Sequence, residues 1–241
     1  MKINRVISLG YNCGSAYQIR LHTRIKEAYL FDWLYTSTDS IISVLSNDFK
    51  DVFLKQNLKI TRNETELTDL NHGLRFNHSF KVDKKIIKEL LESNYETEFA
   101  KFQYLCSKMK KVFNSGEKIL FIRYNPYPGR RDSKNAILQI EELLCSKVKN
   151  KNFAFFWVVN EAQEKIVKRT NLSNYTTLFE IDEIPTRSKS HLNRSFINTD
   201  DVAWSKIFES LEIIPGTQKL LLPNEPVIDK RQHVSKKQLS K

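Results

Sequence analysis

The chain has 241 residues, a net charge of +11, 40% hydrophobic and 11% aromatic residues. It is too apolar for a disordered chain and long enough to bury a substantial core. Its three widely spaced cysteines, Cys13, Cys106 and Cys145, exclude a disulfide framework, and no apolar run approaches the ~20 residues a membrane helix needs.

In chain order, Arg5-Val6-Ile7-Ser8-Leu9-Gly10 has the pattern of a short buried strand stopped by glycine. A helix is expected over 14–23. Another carries Ile41, Ile42, Val44, Leu45 and Phe49 at helical spacing, with Thr38 or Asp39 as its cap. Residues 54–80 have weak periodicity and form a less regular insertion, with one candidate strand at 58–60. From Lys84 to Phe113 the apolar stripe is helical, and Asn114-Ser115-Gly116 stops it. Strands follow at 118–124, 153–159 and 178–181, with a helix between the first two and a last helix opening at Asp200 and Asp201.

Continuous apolar strands alternating with helices predict an α/β fold: a mostly parallel central sheet with helices on both faces, in three layers. We expect one domain over 1–225 and a basic tail over 226–241. Scattered lysines without interleaved aromatics argue against specific nucleic-acid binding. No membrane partner, cofactor or metal is expected, since CxxC, HxxxH, P-loop and GxGxxG motifs are all missing. The cysteine usage fits a reducing, cytoplasmic compartment.

In parallel sheets the ligand crevice lies beyond the carboxyl ends of the strands. The residues there are Asn12 and Cys13, Arg123 and Asn125, Asn160 and Glu161, then Asp182 and Glu183. Cys13 stands between a strand-ending turn and a helix, where the dipole and unpaired N–H groups favour a thiolate and an oxyanion. Gly14 would permit close approach of a substrate, and Asn12 can donate a hydrogen bond. The competing reading is a cysteine packed under the first helix, as expected of Cys106 and Cys145 on their apolar stripes.

A cysteine nucleophile needs a base. Of five histidines, His72 and His78 lie in the polar insertion, and His78 alternates with Phe76 and Phe80. Asp32, between Phe31 and Trp33, can orient a histidine or cap the following helix. A second function class remains open: a transferase or binding domain for a phosphorylated or nucleotide-sugar ligand. Its support is Arg123, Asn125, Arg130 and Arg131, with Cys13 structural. A third is a non-enzymatic interaction module using the basic surface.

The run Ile7-Ser8-Leu9-Gly10-Tyr11-Asn12-Cys13, with Ala16, Ile19, Phe31-Asp32-Trp33 and Asn47-Asp48-Phe49, resembles an uncharacterised bacterial family described as papain-like cysteine peptidases, a domain of unknown function. Asn77-His78-Ser79-Phe80 resembles its histidine segment. The chain departs from the family pattern at Leu30, where proline is usual, and at Ser79, where aspartate is usual. The resemblance implies a cysteine peptidase, hydrolase or acyltransferase acting on a peptide or small-molecule substrate. Cys13 would be the nucleophile and His78 the base, with His72 the alternative. It also implies the papain arrangement, a helix-borne cysteine against an antiparallel sheet, in conflict with the parallel sheet that the periodicity predicts.

Overall fold

The computed structural model describes residues 1–76, 80–82, 85–86, 88–127, 131–161, 167–181 and 201–214. Strands β1 (Lys2–Ile3) and β2 (Arg5–Ser8) lead to helices α1 (Gly14–Thr23) and α2 (Thr38–Ser46). Then come β3 (Leu58–Thr61), β4 (Glu66–Asp69), β5 (Leu74–Phe76), β6 (Lys81–Val82), β7 (Lys85–Ile86) and the long α3 (Lys88–Asn114). The chain continues through β8 (Ile119–Asn125), α4 (Lys134–Lys147), β9 (Phe153–Asn160), β10 (Lys168–Asn171), β11 (Thr176–Ile181), α5 (Asp201–Glu209) and β12 (Glu212–Ile213).

The central sheet has the order β10-β11-β9-β8-β2. β2, β8, β9 and β11 are parallel and β10 runs antiparallel at the edge. The four parallel strands are largely apolar on both sides, and alternation assigns each side chain to a face, whereas β10 is polar and exposed. Ile7, Phe121, Phe155 and Trp157 point into one core with residues of α2, α3 and α4. Val6, Leu120, Ile122, Phe156 and Phe179 point into a second core with Ile19 of α1 and Trp204, Ile207 and Phe208 of α5. This is the expected three-layer α/β arrangement. The parallel sheet is not the antiparallel one of the papain arrangement.

Local departures have local causes. The cap of α2 is Ser37, whose side chain accepts from Ser40 N, rather than Thr38 or Asp39. The insertion holds a three-stranded antiparallel sheet, β3-β4-β5, where one strand was expected. β4 and β5 are short and carry Glu66, Thr68, Asp69 and Arg75, so their apolar pattern is weak. The helix expected from Lys84 is described from Lys88, because Lys85–Ile86 ahead of it pairs antiparallel with Lys81–Val82. The 226–241 tail and His78 lie outside the described residues. Among the described residues, no helix is long and apolar enough to cross a membrane.

Candidate active site

The turn after β2 leaves ordinary strand geometry at two successive residues. Gly10 has φ 76° and Tyr11 has φ 85°. A Cβ at Gly10 would land on Thr36 Oγ1, so both conformation and space require glycine there. Thr36 closes the turn. Its hydroxyl accepts from Tyr11 N at 2.9 Å and donates to Leu9 O at 3.2 Å, and its own N–H donates to Tyr11 O at 3.3 Å. Behind the turn the buried hydroxyls of Ser8 and Ser15 meet at 2.6 Å, tying the first turn of α1 to the end of β2.

Cys13 is the residue that enters α1, with backbone angles already helical and Tyr17 N bonding back to its carbonyl at 2.9 Å. It is half-buried, whereas Cys106 is fully buried. Burial pushes the Cys13 thiol above its ordinary value, against the pull of its own backbone N–H. The helix start alone therefore does not make a thiolate here. Burial drives Cys106 up to about 12 and also raises Cys145.

Asn12 Oδ1 accepts from Gly14 N at 2.8 Å, which fixes the Asn12 carboxamide and uses the Gly14 N–H. Gly14 also lets α1 approach β8: a Cβ there would sit 3.3 Å from the Tyr124 ring. Both were expected at the site and both stand beside Cys13.

The other expected residues are spent on structure. Arg123 is completely buried. Its Nε and Nη2 donate to the two Asp132 oxygens at 2.8 and 3.1 Å, and its nitrogens reach Leu9 O, Thr36 O and Thr38 Oγ1 at 3.2–3.5 Å. Thr38 also donates to Asp132. Arg123 therefore supports the Cys13 turn from below and has no face for a phosphate. Buried Asn125 accepts from Tyr127 N at 3.0 Å, and Asn160 donates to Pro126 O at 3.1 Å, shaping the loop after β8. Glu161 accepts from Arg131 at 3.0 Å. The charge available to an anion is thus largely cancelled among the described residues, and Arg130 lies outside them.

Asp32 is buried and accepts from Arg20 Nη2 and Tyr29 N, each at 3.1 Å; its partner is an arginine, not a histidine, among the described residues. Burial pushes its carboxyl up to about 7 despite Arg20. His72 is buried with both ring nitrogens engaged: Nδ1 with Ser43 Oγ at 2.9 Å and Nε2 with Lys50 O at 2.8 Å. That leaves it no nitrogen for a thiol.

β5 approaches the Cys13 turn. Tyr35 and Arg75 exchange backbone hydrogen bonds at 3.0 and 3.1 Å, and the Tyr35 ring meets Tyr11 at 5.1 Å. Arg75 stands three residues before His78 in the sequence. Phe76 and Phe80, on either side of His78, both pack on Phe53, at 4.7 and 6.3 Å. Sequence reasoning missed Thr36, Asp132 and the tyrosines Tyr11, Tyr35 and Tyr127. Only Tyr11 carried a local signal, a bulky residue directly after the strand-ending glycine. Among the described residues no group of three or more His, Cys, Asp or Glu is placed to hold a metal.

The chain is 24% identical over 163 residues to "Uncharacterized protein R408" of Acanthamoeba polyphaga mimivirus, covering 60% of this chain and 71% of that protein. The relative is viral, and the bacterial source implied by the resemblance has no counterpart in it. No solved structure matches. A family model matches residues 4–163, more than half of the chain and all of the strand–turn–helix around Cys13. The chain therefore belongs to the family described as "Putative papain-like cysteine peptidase (DUF1796)".

Proposed function

We propose that this protein is a cysteine-dependent acyl-transfer enzyme, a peptidase or related hydrolase, with Cys13 as nucleophile and His78 as general base. The observation that supports it is the placement of Cys13. It is half-exposed at the strand–turn–helix junction, on the carboxyl edge of a parallel sheet, behind two residues held at positive φ. Sharp turns of this kind present a nucleophile above a sheet, and strained backbone concentrates at functional sites.

In the reaction, Cys13 Sγ adds to the substrate carbonyl carbon while its proton passes to His78. The carbonyl oxygen becomes an oxyanion, and the Asn12 amide nitrogen, held in place through Oδ1, is the donor suited to it. Collapse breaks the bond to the leaving amine or alcohol, which takes the proton from His78. Water, or another acceptor, then releases the acyl group from sulfur.

The surroundings described for Cys13 raise its thiol pKa. Alkylation at a pH below the ordinary thiol value of about 8.5 therefore requires a further cation, which an imidazolium supplies. The test is the pH profile of Cys13 alkylation by iodoacetamide. In the native chain the midpoint should lie below 8.5, and His78→Ala should move it above. An unchanged profile in His78→Ala removes the pairing.

A further inference from the structure

Tyr11 stands two residues before Cys13 at φ 85°. A bulky side chain in that region is strained where glycine would not be. Its ring is half-buried and has two half-buried neighbours from separate segments of the chain. Tyr35, just before α2, lies at 5.1 Å, tilted by 52°. Tyr127, just after β8, lies at 5.6 Å, tilted by 53°. Three tyrosines thus converge at the carboxyl end of β2 and β8, beside the Cys13 turn.

The charges around them select among guests. The Arg75 guanidinium lies 3.7 Å over the Tyr35 ring, and that of Arg123 lies 5.4 Å from the Tyr11 ring. A cationic guest gains little, because the Tyr35 and Tyr11 rings already have guanidinium partners. An anionic guest gains little, because Arg75 pairs with Glu66 and Arg123 with Asp132. A flat neutral aromatic ring continues the tilted packing that the tyrosines already make with one another.

We propose that Tyr11, Tyr35 and Tyr127 form the substrate subsite beside Cys13, and that it takes an acyl donor carrying an aromatic ring next to the carbonyl under attack. This rests on Cys13 being the nucleophile.

The experiment measures alkylation of Cys13 in the full chain by chloroacetamide, N-benzylchloroacetamide and N-(2-trimethylammonioethyl)chloroacetamide, with peptide mapping by mass spectrometry. In each case Cys13 Sγ displaces chloride, forming the C–S bond and giving up its proton to base. The benzyl probe should react about three- to tenfold faster than the parent, the range of one aromatic pair, and the cationic probe no faster than the parent. Tyr11→Gly relieves the backbone but removes the ring and its packing on Tyr35 and Tyr127, so the benzyl-to-parent ratio should drop towards one. Tyr127→Leu should lower the same ratio without touching the strained residue. A benzyl ratio near one in the native chain, or unchanged in both variants, overturns the subsite while leaving Cys13 reactive. Failure of every probe to label Cys13 overturns the nucleophile and the subsite together.

Discussion

Arg123, within β8 and two residues before its end, donates through Nε and Nη2 to both oxygens of Asp132 at 2.8 and 3.1 Å, and the guanidinium is fully buried. The same guanidinium reaches the carbonyls of Leu9 and Thr36, which flank the turn leading to Cys13. One buried ion pair thus ties three parts of the carboxyl edge together: the end of β2, the start of α2 and the approach to α4. Removing one partner leaves the other charge buried and unpaired. Asp132→Ala should therefore destabilise the fold by about 3 kcal/mol or more, measured by urea denaturation. A loss below about 1 kcal/mol would mean that the Leu9 and Thr36 carbonyls suffice for Arg123.

Gly10→Ala should be among the most damaging single-methyl changes. The new Cβ falls on Thr36 Oγ1, and φ 76° is unfavourable for alanine. The expected cost is about 2 kcal/mol or more, with slower alkylation of Cys13 because the turn must shift. Thermal denaturation and iodoacetamide kinetics on the same samples check both halves.

Asp32 makes stability depend on pH in a definite direction. Its folded carboxyl titrates at about 7, and its unfolded one near 4. Between those values the native state holds a proton that the unfolded state has released, so this group's contribution falls as pH rises and is constant above 7. The stability of the native chain relative to Asp32→Asn should accordingly drop by at least ~1.4 kcal/mol, the equivalent of one pKa unit, between pH 4 and 8. A difference that grows with pH would show that Arg20 holds the carboxylate ionised throughout.

The cysteines should separate by reactivity. Cys106, buried and pushed up to about 12, should be the slowest to alkylate in the native state. Cys145 is half-buried like Cys13, and burial raises both thiols. Cys13 should outrun Cys145 only while His78 is present, and His78→Ala should remove that lead. Peptide mapping over time reads all three; a lead that survives His78→Ala would place the activation in the helix start.

The layered fold was legible because its signal is local. Strands such as Phe153–Asn160 are apolar on both faces, which a sheet covered on both sides demands, and helices such as α4 announce themselves by a stripe of Ile137, Ile140 and Leu144. β4 and β5 were not legible, since their pairing buries few apolar side chains and depends on neighbours that sequence does not order.

For the candidate site, the sequence by itself determined that Cys13 follows a glycine-ended strand and opens a helix, because both are properties of adjacent residues. Which polar groups would be free to act depended on packing. Arg123 looks like an anion ligand in one dimension, and only the fold brings Asp132 and the Thr36 carbonyl against it. His72 looks like a base until Ser43 and Lys50 occupy its nitrogens. The tyrosines come from segments 24 and 92 residues apart, and ring packing over such separations is decided by tertiary structure alone, since side-chain contact falls off within a few ångströms while chain order carries no distance.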